Sequence, residues 1–347
     1  ARRAFVMSHA DPDDFTALQL PSVDHCRAIM QDHEGSIWIG TAGYGISRIR
    51  PTSFRMFSSR NGLPGDGVRS VAVDTAGNVW AGIPAVGVAH LSPSGEVSTV
   101  FASNGPLAEI WALLRTGDGR LWIGRRGTLI ILHPDGREEE VPGVRGMRCI
   151  YQDRHGALWF GTEQDGLIRY ENGAYTPMHD ALGIPVTTPV MAIAEDRDGA
   201  IYFGLRTGGL VKRAADGALT HWSLEKGQPV DEVRSLHCDR EGRVWVGSKG
   251  RGLLLLSEGR WYESEDLSAP FNDVVSVIQE DDHGRFWLGT PKGIVWAPKA
   301  EILGIARGER RGDSFAIASE TDGVIASTVG FGSQPASLKG PDGRIWF

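Results

Sequence analysis

Short apolar runs alternate with Gly-rich polar turns along the chain, and the alternation itself repeats. One copy reads Asp239-Arg240-Glu241-Gly242-Arg243-Val244-Trp245-Val246-Gly247. The same register occurs at 32–40 (DHEGSIWIG), 74–82 (DTAGNVWAG), 116–124 (TGDGRLWIG), 153–161 (DRHGALWFG), 196–204 (DRDGAIYFG), 281–289 (DDHGRFWLG) and 340–347 (GPDGRIWF). An apolar run such as Val233 to Cys238 leads into each copy. D-x-x-G then predicts a tight turn, with Asp capping backbone amides and Gly supplying a positive φ. A strand with its aromatic residue on the buried face follows (Arg243 to Ser248), then a Gly-rich turn, a third strand (Leu253 to Leu256) and a fourth (Trp261 to Glu263). Four short strands per unit is the pattern of a β-propeller blade.

The aromatic column is Trp38, Trp80, Trp122, Trp159, Tyr202, Trp245, Trp287 and Trp346, at intervals of about 40 residues until a wider last one. Such large rings are expected to pack between blades. Leu107 to Leu114 looks helical in isolation, but its place in the repeat makes it a strand. Phe15 to Leu20 reads as an outer strand of the first blade. The wide last interval holds an insertion over 298–335, with a short helix at Lys299 to Ala306 after Pro298, a strand near Ser314 to Ile317, and a Gly-rich loop up to Pro335. The expected fold is all-β, one propeller of four-stranded blades over 1–347, with seven blades. Eight motifs leave two alternatives open. One is an eight-bladed ring; the other is a tandem arrangement in which 1–50 belongs to a preceding propeller.

The formal net charge of −7 and a pI near 5.8 argue against a nucleic-acid-binding surface. Cys26, Cys149 and Cys238 sit at different offsets within their repeats and form no disulfide framework. They read as small buried side chains. No apolar run reaches transmembrane length and no signal peptide is visible. The sequence starts without Met and stops inside a strand, which reads as a fragment. No P-loop, G-x-S-x-G, H-E-x-x-H or paired C-x-x-C occurs, so no catalytic residue, metal or cofactor is expected. His33, His155 and His283 share one turn position and read as exposed turn residues.

Candidate binding chemistry lies at one column. Five residues before the repeat Asp stand Arg27, Arg69, Trp111, Arg148, Met191, Arg234, Ser276 and Pro335. This position begins the innermost strand, which lines a propeller's channel. Arg presents a planar fork suited to carboxylate, sulfate or phosphate. A ring of them makes an anion-attracting mouth on an otherwise acidic protein. The competing expectation is that each Arg pairs with an acidic residue of the neighbouring blade. The turn between second and third strands opens on the same face, and it carries Tyr44, Arg125, Arg126, Gln164, Asp165, Arg206, Lys249, Arg251 and Lys292. Basic and aromatic groups around a mouth suit a carbohydrate, an anionic oligosaccharide or another small anion, and Trp111 is the favoured aromatic candidate.

The segments DRHGALWFGTEQDGLIRY (153–170) and DHEGSIWIGTAGYGISRI (32–49) resemble the two-component regulator propeller repeat. NGLPGDGVRSVAVD (61–74) resembles that family's inter-blade loop, and TDG (321–323) with GSQPASLKGPDGRIWF (332–347) resembles the segment before its last blade. The resemblance implies a periplasmic β-propeller sensor region preceding an Ig-like domain, a membrane helix and a signalling output such as a histidine kinase or diguanylate cyclase. It implies a non-enzymatic region that signals through dimer rearrangement. Two alternatives stand beside it: a protein-docking scaffold, and an enzyme resembling streptogramin B lyase. The lyase resemblance calls for a catalytic histidine with Mg²⁺, and no histidine here matches that setting.

Overall fold

The first residue of each repeat builds its turn. Asp153 Oδ1 accepts hydrogen bonds from the amides of His155 (3.0 Å) and Ala157 (2.9 Å), and Gly156 takes a φ of 87°. The reversal pairs Met147–Gln152 antiparallel with Leu158–Thr162. The second carboxylate oxygen serves the core, since Trp159 Nε1 donates to Asp153 Oδ2 at 2.9 Å. Asp239 with Trp245 and Asp281 with Trp287 repeat the bond at 2.9 Å. Tyr202 substitutes its hydroxyl onto Asp196 Oδ2 at 3.1 Å, and Trp122 uses Thr116 Oγ1 at 3.3 Å.

The computed structural model describes residues 54–103, 109–263, 274–309, 315–318 and 334–347, and strands at 4–7, 15–18, 26–31, 37–41 and 46–49. Six four-stranded antiparallel sheets appear among them, each with its strands in chain order. Blade A comprises Ser70–Val73, Val79–Ile83, Gly87–Leu91 and Val97–Ala102. Blade B comprises Ile110–Arg115, Leu121–Arg125, Leu129–Leu132 and Glu138–Val141. Blade C comprises Met147–Gln152, Leu158–Thr162, Leu167–Glu171 and Ala174–Pro177. Blade D comprises Val190–Glu195, Ile201–Leu205, Leu210–Arg213 and Leu219–Trp222. Blade E comprises Val233–Cys238, Val244–Ser248, Gly252–Ser257 and Arg260–Tyr262. Blade F comprises Val277–Glu280, Arg285–Thr290, Gly293–Pro298 and Ala316–Ile317. The first strands lie side by side from A to F, as the innermost strands of a propeller do.

The core lies between blades. Trp122 meets Phe160 of the next blade at 5.7 Å between ring centres, Trp159 meets Phe203 at 5.3 Å, and Trp245 meets Phe286 edge-on at 4.9 Å. The Gly closing each motif permits this approach. A Cβ on Gly161 would stand 2.6 Å from Val190 O on the following blade's inner strand, and one on Gly247 would stand 2.2 Å from Val275 O, just before the next such strand. At the opposite end, turn arginines reach across blades: Arg154 Nη1 donates to Arg197 O at 2.9 Å, and Arg197 Nη1 to Arg240 O at 3.4 Å.

The insertion folds largely as its sequence indicates. Pro298 precedes a helix, Lys299–Ala306, which buries Ile302 and Ile305 against blade F, and Ala316–Ile317 supplies that blade's fourth strand. Most of the Gly-rich loop lies outside the described residues. Beyond it, Leu338–Lys339 pairs with Ile345–Trp346 in a two-stranded sheet. Pro335 and Ser337, just before it, bond blades A and F. Val71 N of blade A donates to Pro335 O at 3.1 Å, and Gln279 Nε2 of blade F donates to Ser337 O at 3.0 Å.

The chain divides into two units, one of Ala1–Met56 with Ser319–Ile325 and the other of Phe57–Ala318 with Ala326–Phe347. In the first unit, Cys26–Gln31, Ile37–Thr41 and Ile46–Ile49 form a three-stranded sheet around the Trp38 motif. Phe15–Leu18 is not part of that sheet. It pairs with Ala4–Met7, because a strand joins whichever edge is presented to it, and periodicity carries no record of the partner. Ile29 and Met30 are 64% and 60% exposed, whereas Ile150, at the place of Ile29 in its own repeat, is 3% exposed. Successive strand residues face opposite ways, so both faces of the Cys26–Gln31 strand are open. No helix among the described residues is long and apolar enough to cross a membrane.

Candidate ligand site at the channel rim

The first strands of blades B to F enclose a cavity of about 350 Å³, shared with the segment Gln334–Leu338. Gln334 crosses it. Its amide donates to Arg148 O at 2.9 Å, and its carbonyl accepts from Ile150 N at 3.3 Å, both on blade C. Its side chain takes both backbone groups of Ile193 on blade D, accepting from the amide at 2.7 Å and donating to the carbonyl at 3.1 Å. A polar side chain is stable in this interior because each of these groups finds its partner.

Arg148 and Arg234 stand near the start of their first strands, and Arg69 immediately precedes Ser70–Val73. That strand end is also where the turns between second and third strands lie, since Met147 pairs with Thr162 and Val233 with Ser248. The two basic columns therefore share one rim, and carboxylates meet them there. Arg148 Nη2 donates to Glu163 Oε1 of its own blade, and Arg206 Nη1 of blade D donates to the same oxygen at 3.1 Å. Arg69 lies 3.9 Å from Glu109 of the neighbouring blade. Arg234 pairs with Glu232, two residues upstream, and Lys249 lies 3.6 Å from the other oxygen of Glu232. Pairing is thus general, and Arg69 and Arg206 find their carboxylate on the neighbouring blade.

Trp111 joins this group as a buried wall. Its ring is 6% exposed, the Arg148 guanidinium lies 3.6 Å from its centre and that of Arg69 5.7 Å, and its Nε1 donates to Glu109 at 2.9 Å. It therefore serves as a platform for arginine and offers no open face for stacking a sugar. Burial holds the Arg148 guanidinium below its ordinary range; Glu163 opposes this, while the charges of Arg206 and Arg234 add to it.

Arg125 ends the second strand of blade B, opposite Ile110, and its Nε is buried without a hydrogen bond. Arg251 lies on the turn of blade E and pairs with Glu263 at 2.9 Å. The side chain of Arg27 and all of Tyr44 lie outside the described residues. Sequence reasoning missed Glu109, Glu163, Glu232 and Gln334. Glu109 and Glu232 had a signal, since each stands two residues before the Arg/Trp column. Gln334 had none, because its partners are backbone groups brought near by ring closure. Among the described residues no three His, Cys, Asp or Glu side chains converge as metal ligands. His155 and His283 are exposed turn residues, as their shared position suggested, and His33 lies outside the described residues.

Three segments, residues 20–43, 143–164 and 227–250, match the two component regulator propeller family. The chain carries repeats of that family, as its sequence indicated. No curated protein matches it. Among solved structures it is similar to the extracellular domain of a putative hybrid two component system from B. thetaiotaomicron, at 20% identity and a TM-score of 0.72. That likeness covers 96% of this chain and 46% of the other, so the chain spans about half of that relative. It is also similar to virginiamycin B lyase from Staphylococcus aureus with quinupristin, at 18% identity and a TM-score of 0.54, over 79% of this chain and 94% of that one. Both likenesses speak to the propeller fold.

Proposed function

We propose that this chain is the ligand-sensing propeller region of an extracytoplasmic, membrane-linked signal transduction protein. Its ligand is an anionic glycan or similar anion bound at the arginine rim, and the output lies in domains downstream, with rearrangement of a homodimer as the route. The observation that carries this reading is the convergence of Arg69 and Arg148 on Trp111 at one end of the channel, with Arg206 sharing Glu163 with Arg148 and the charge of Arg234 acting on Arg148. Arg69, Arg148, Arg206, Arg234 and Lys249 gather there with Glu109, Glu163 and Glu232. Clustered cations of this kind attract anions to a protein that is acidic overall. The family match and the similarity to an extracellular two-component domain support the sensing role and its location.

The same reading includes the architecture. The two-stranded sheet bearing Trp346, hydrogen-bonded between blades A and F, is the inner half of a seventh blade. The Trp38 sheet, whose Cys26–Gln31 strand exposes Ile29 and Met30, is a blade of a separate preceding propeller.

A thermal-shift screen against neutral and anionic oligosaccharides tests the sensing role, because a ligand that binds only the folded state raises Tm by mass action. A shift with an anionic glycan that is lost in Arg69→Ala and Arg234→Ala supports it. If no glycan shifts Tm and those variants merely lower it, the arginines are struts and the rim docks a protein instead.

A further inference from the structure

Glu163 is the acidic exception in a basic column. Four residues after the repeat aromatic stand Arg126, Glu163, Arg206 and Lys249 in blades B to E. The exception falls where two guanidinium groups from neighbouring blades meet. Arg148 and Arg206 both donate to Glu163 Oε1, so this one oxygen receives bonds from both blades. The plane of Arg148 is fixed by the Trp111 ring 3.6 Å away. Its side chain is only 12% exposed, whereas that of Arg206 is 41% exposed, so solvent reaches the pair over Arg206. Glu163 is held by its backbone, whose amide donates to Gly146 O at 2.8 Å. Its carboxylate can therefore leave by side-chain rotation alone.

We propose that Arg148 and Arg206 form a binding site for a single carboxylate or sulfate group of the ligand, and that Glu163 occupies this site as an internal surrogate until the ligand displaces it. The proposal rests on the reading of the rim as the ligand face. Guanidinium forks bind carboxylate and sulfate in similar geometry, so the contacts seen with Glu163 are those an incoming anion would take over. A sulfate carries two charges against the surrogate's one, so it interacts more strongly with the two guanidinium groups. The site also adjoins the channel, since Arg148 O accepts the Gln334 amide at 2.9 Å.

The test is calorimetric titration of wild type, Glu163→Gln and Arg206→Ala with sodium sulfate and with D-glucuronate, at ionic strength held constant by chloride. Removing the surrogate's charge should tighten both anions by about tenfold in Glu163→Gln, the effect of losing one charge-assisted competitor. Arg206→Ala, a change at a half-exposed side chain, should lose sulfate binding, and Glu163→Gln combined with Arg206→Ala should lose the gain. Equal affinity in wild type and Glu163→Gln overturns the proposal. So does a fall in Tm of Glu163→Gln that sulfate fails to restore, which would make Glu163 an inter-blade strut. If Glu163→Gln gains sulfate while no oligosaccharide binds wild type, the anion site stands and the glycan-sensing reading falls. If an anionic oligosaccharide binds all three proteins equally, that reading stands and the surrogate falls.

Discussion

Trp245 Nε1 donates a 2.9 Å hydrogen bond to Asp239 Oδ2, and both residues are buried. Asp239 Oδ1 meanwhile caps the amides of Glu241 (3.1 Å) and Arg243 (3.0 Å). One carboxylate therefore fixes both the turn and the ring that packs on the next blade. Asp239→Ala removes the caps and leaves a buried indole N–H unsatisfied, which should cost about 2–4 kcal/mol in urea unfolding. Trp245→Phe in the Asp239→Ala background should then cost less than in wild type, because the bond is already gone. Strict additivity in that double-mutant cycle would separate the turn from the ring.

The motif glycines make a second prediction. A Cβ at Gly161 would lie 2.3 Å from Cys149 Sγ and 2.6 Å from Val190 O. The second contact is backbone of the neighbouring blade and cannot swing away. Gly161→Ala should destabilise by about 1–3 kcal/mol, as overpacking does. Gly117 has open space around its Cβ position, so Gly117→Ala should stay within about 0.5 kcal/mol of wild type. Similar stabilities for the two variants would refute the close-approach role.

Acid should unfold the ring through the same carboxylates. Burial alone would raise Asp239, but hydrogen bonds from Trp245 and Arg243 prevail and hold it below its ordinary value of 3.8. Asp281 behaves alike, burial being outweighed by Trp287 and Arg285. A carboxylate with a depressed folded pKa contributes stability that is complete above the unfolded value and is lost as pH falls through the folded one. Tm measured from pH 7 downward should therefore hold until about pH 4 and drop below it. Asp239→Asn should shrink that drop; an unchanged acid limb would assign it to other groups.

Thiol reactivity gives a fourth prediction. Burial pushes the Cys149 thiol up to about 12, and burial raises Cys238 as well. The thiolate is the reactive form, so neither should be alkylated by iodoacetamide at pH 8 in the folded protein. Mass mapping after a pulse should find both modified only once denaturant unfolds the ring. Rapid labelling of Cys149 in the native state would contradict its burial.

The aromatic column was legible in the sequence because every blade solves the same local problem, a turn followed by a ring facing its neighbour. Trp159, Tyr202 and Trp245 therefore recur at nearly constant intervals. The helix at Lys299–Ala306 was legible for a similarly local reason, as Pro298 is readily placed at a helix start. The strand Phe15–Leu18 was visible as a strand, yet its partner was not, since edge choice is settled by what lies nearby in space.

The candidate site divides in the same way. Repetition alone put Arg69, Arg148 and Arg234 at the start of inner strands, which is a property of strand register. The sequence also determined the four-stranded blade and the family of its repeats. Only the tertiary structure decided that Trp111 is a buried support and that Arg148 and Arg206 share Glu163. It also decided that Gln334 spans the channel to blade D. Periodic order is written by local turns and alternating burial, and these are encoded residue by residue. Contacts across blades depend on ring closure, which brings together residues such as Ile193 and Gln334 that no local pattern links.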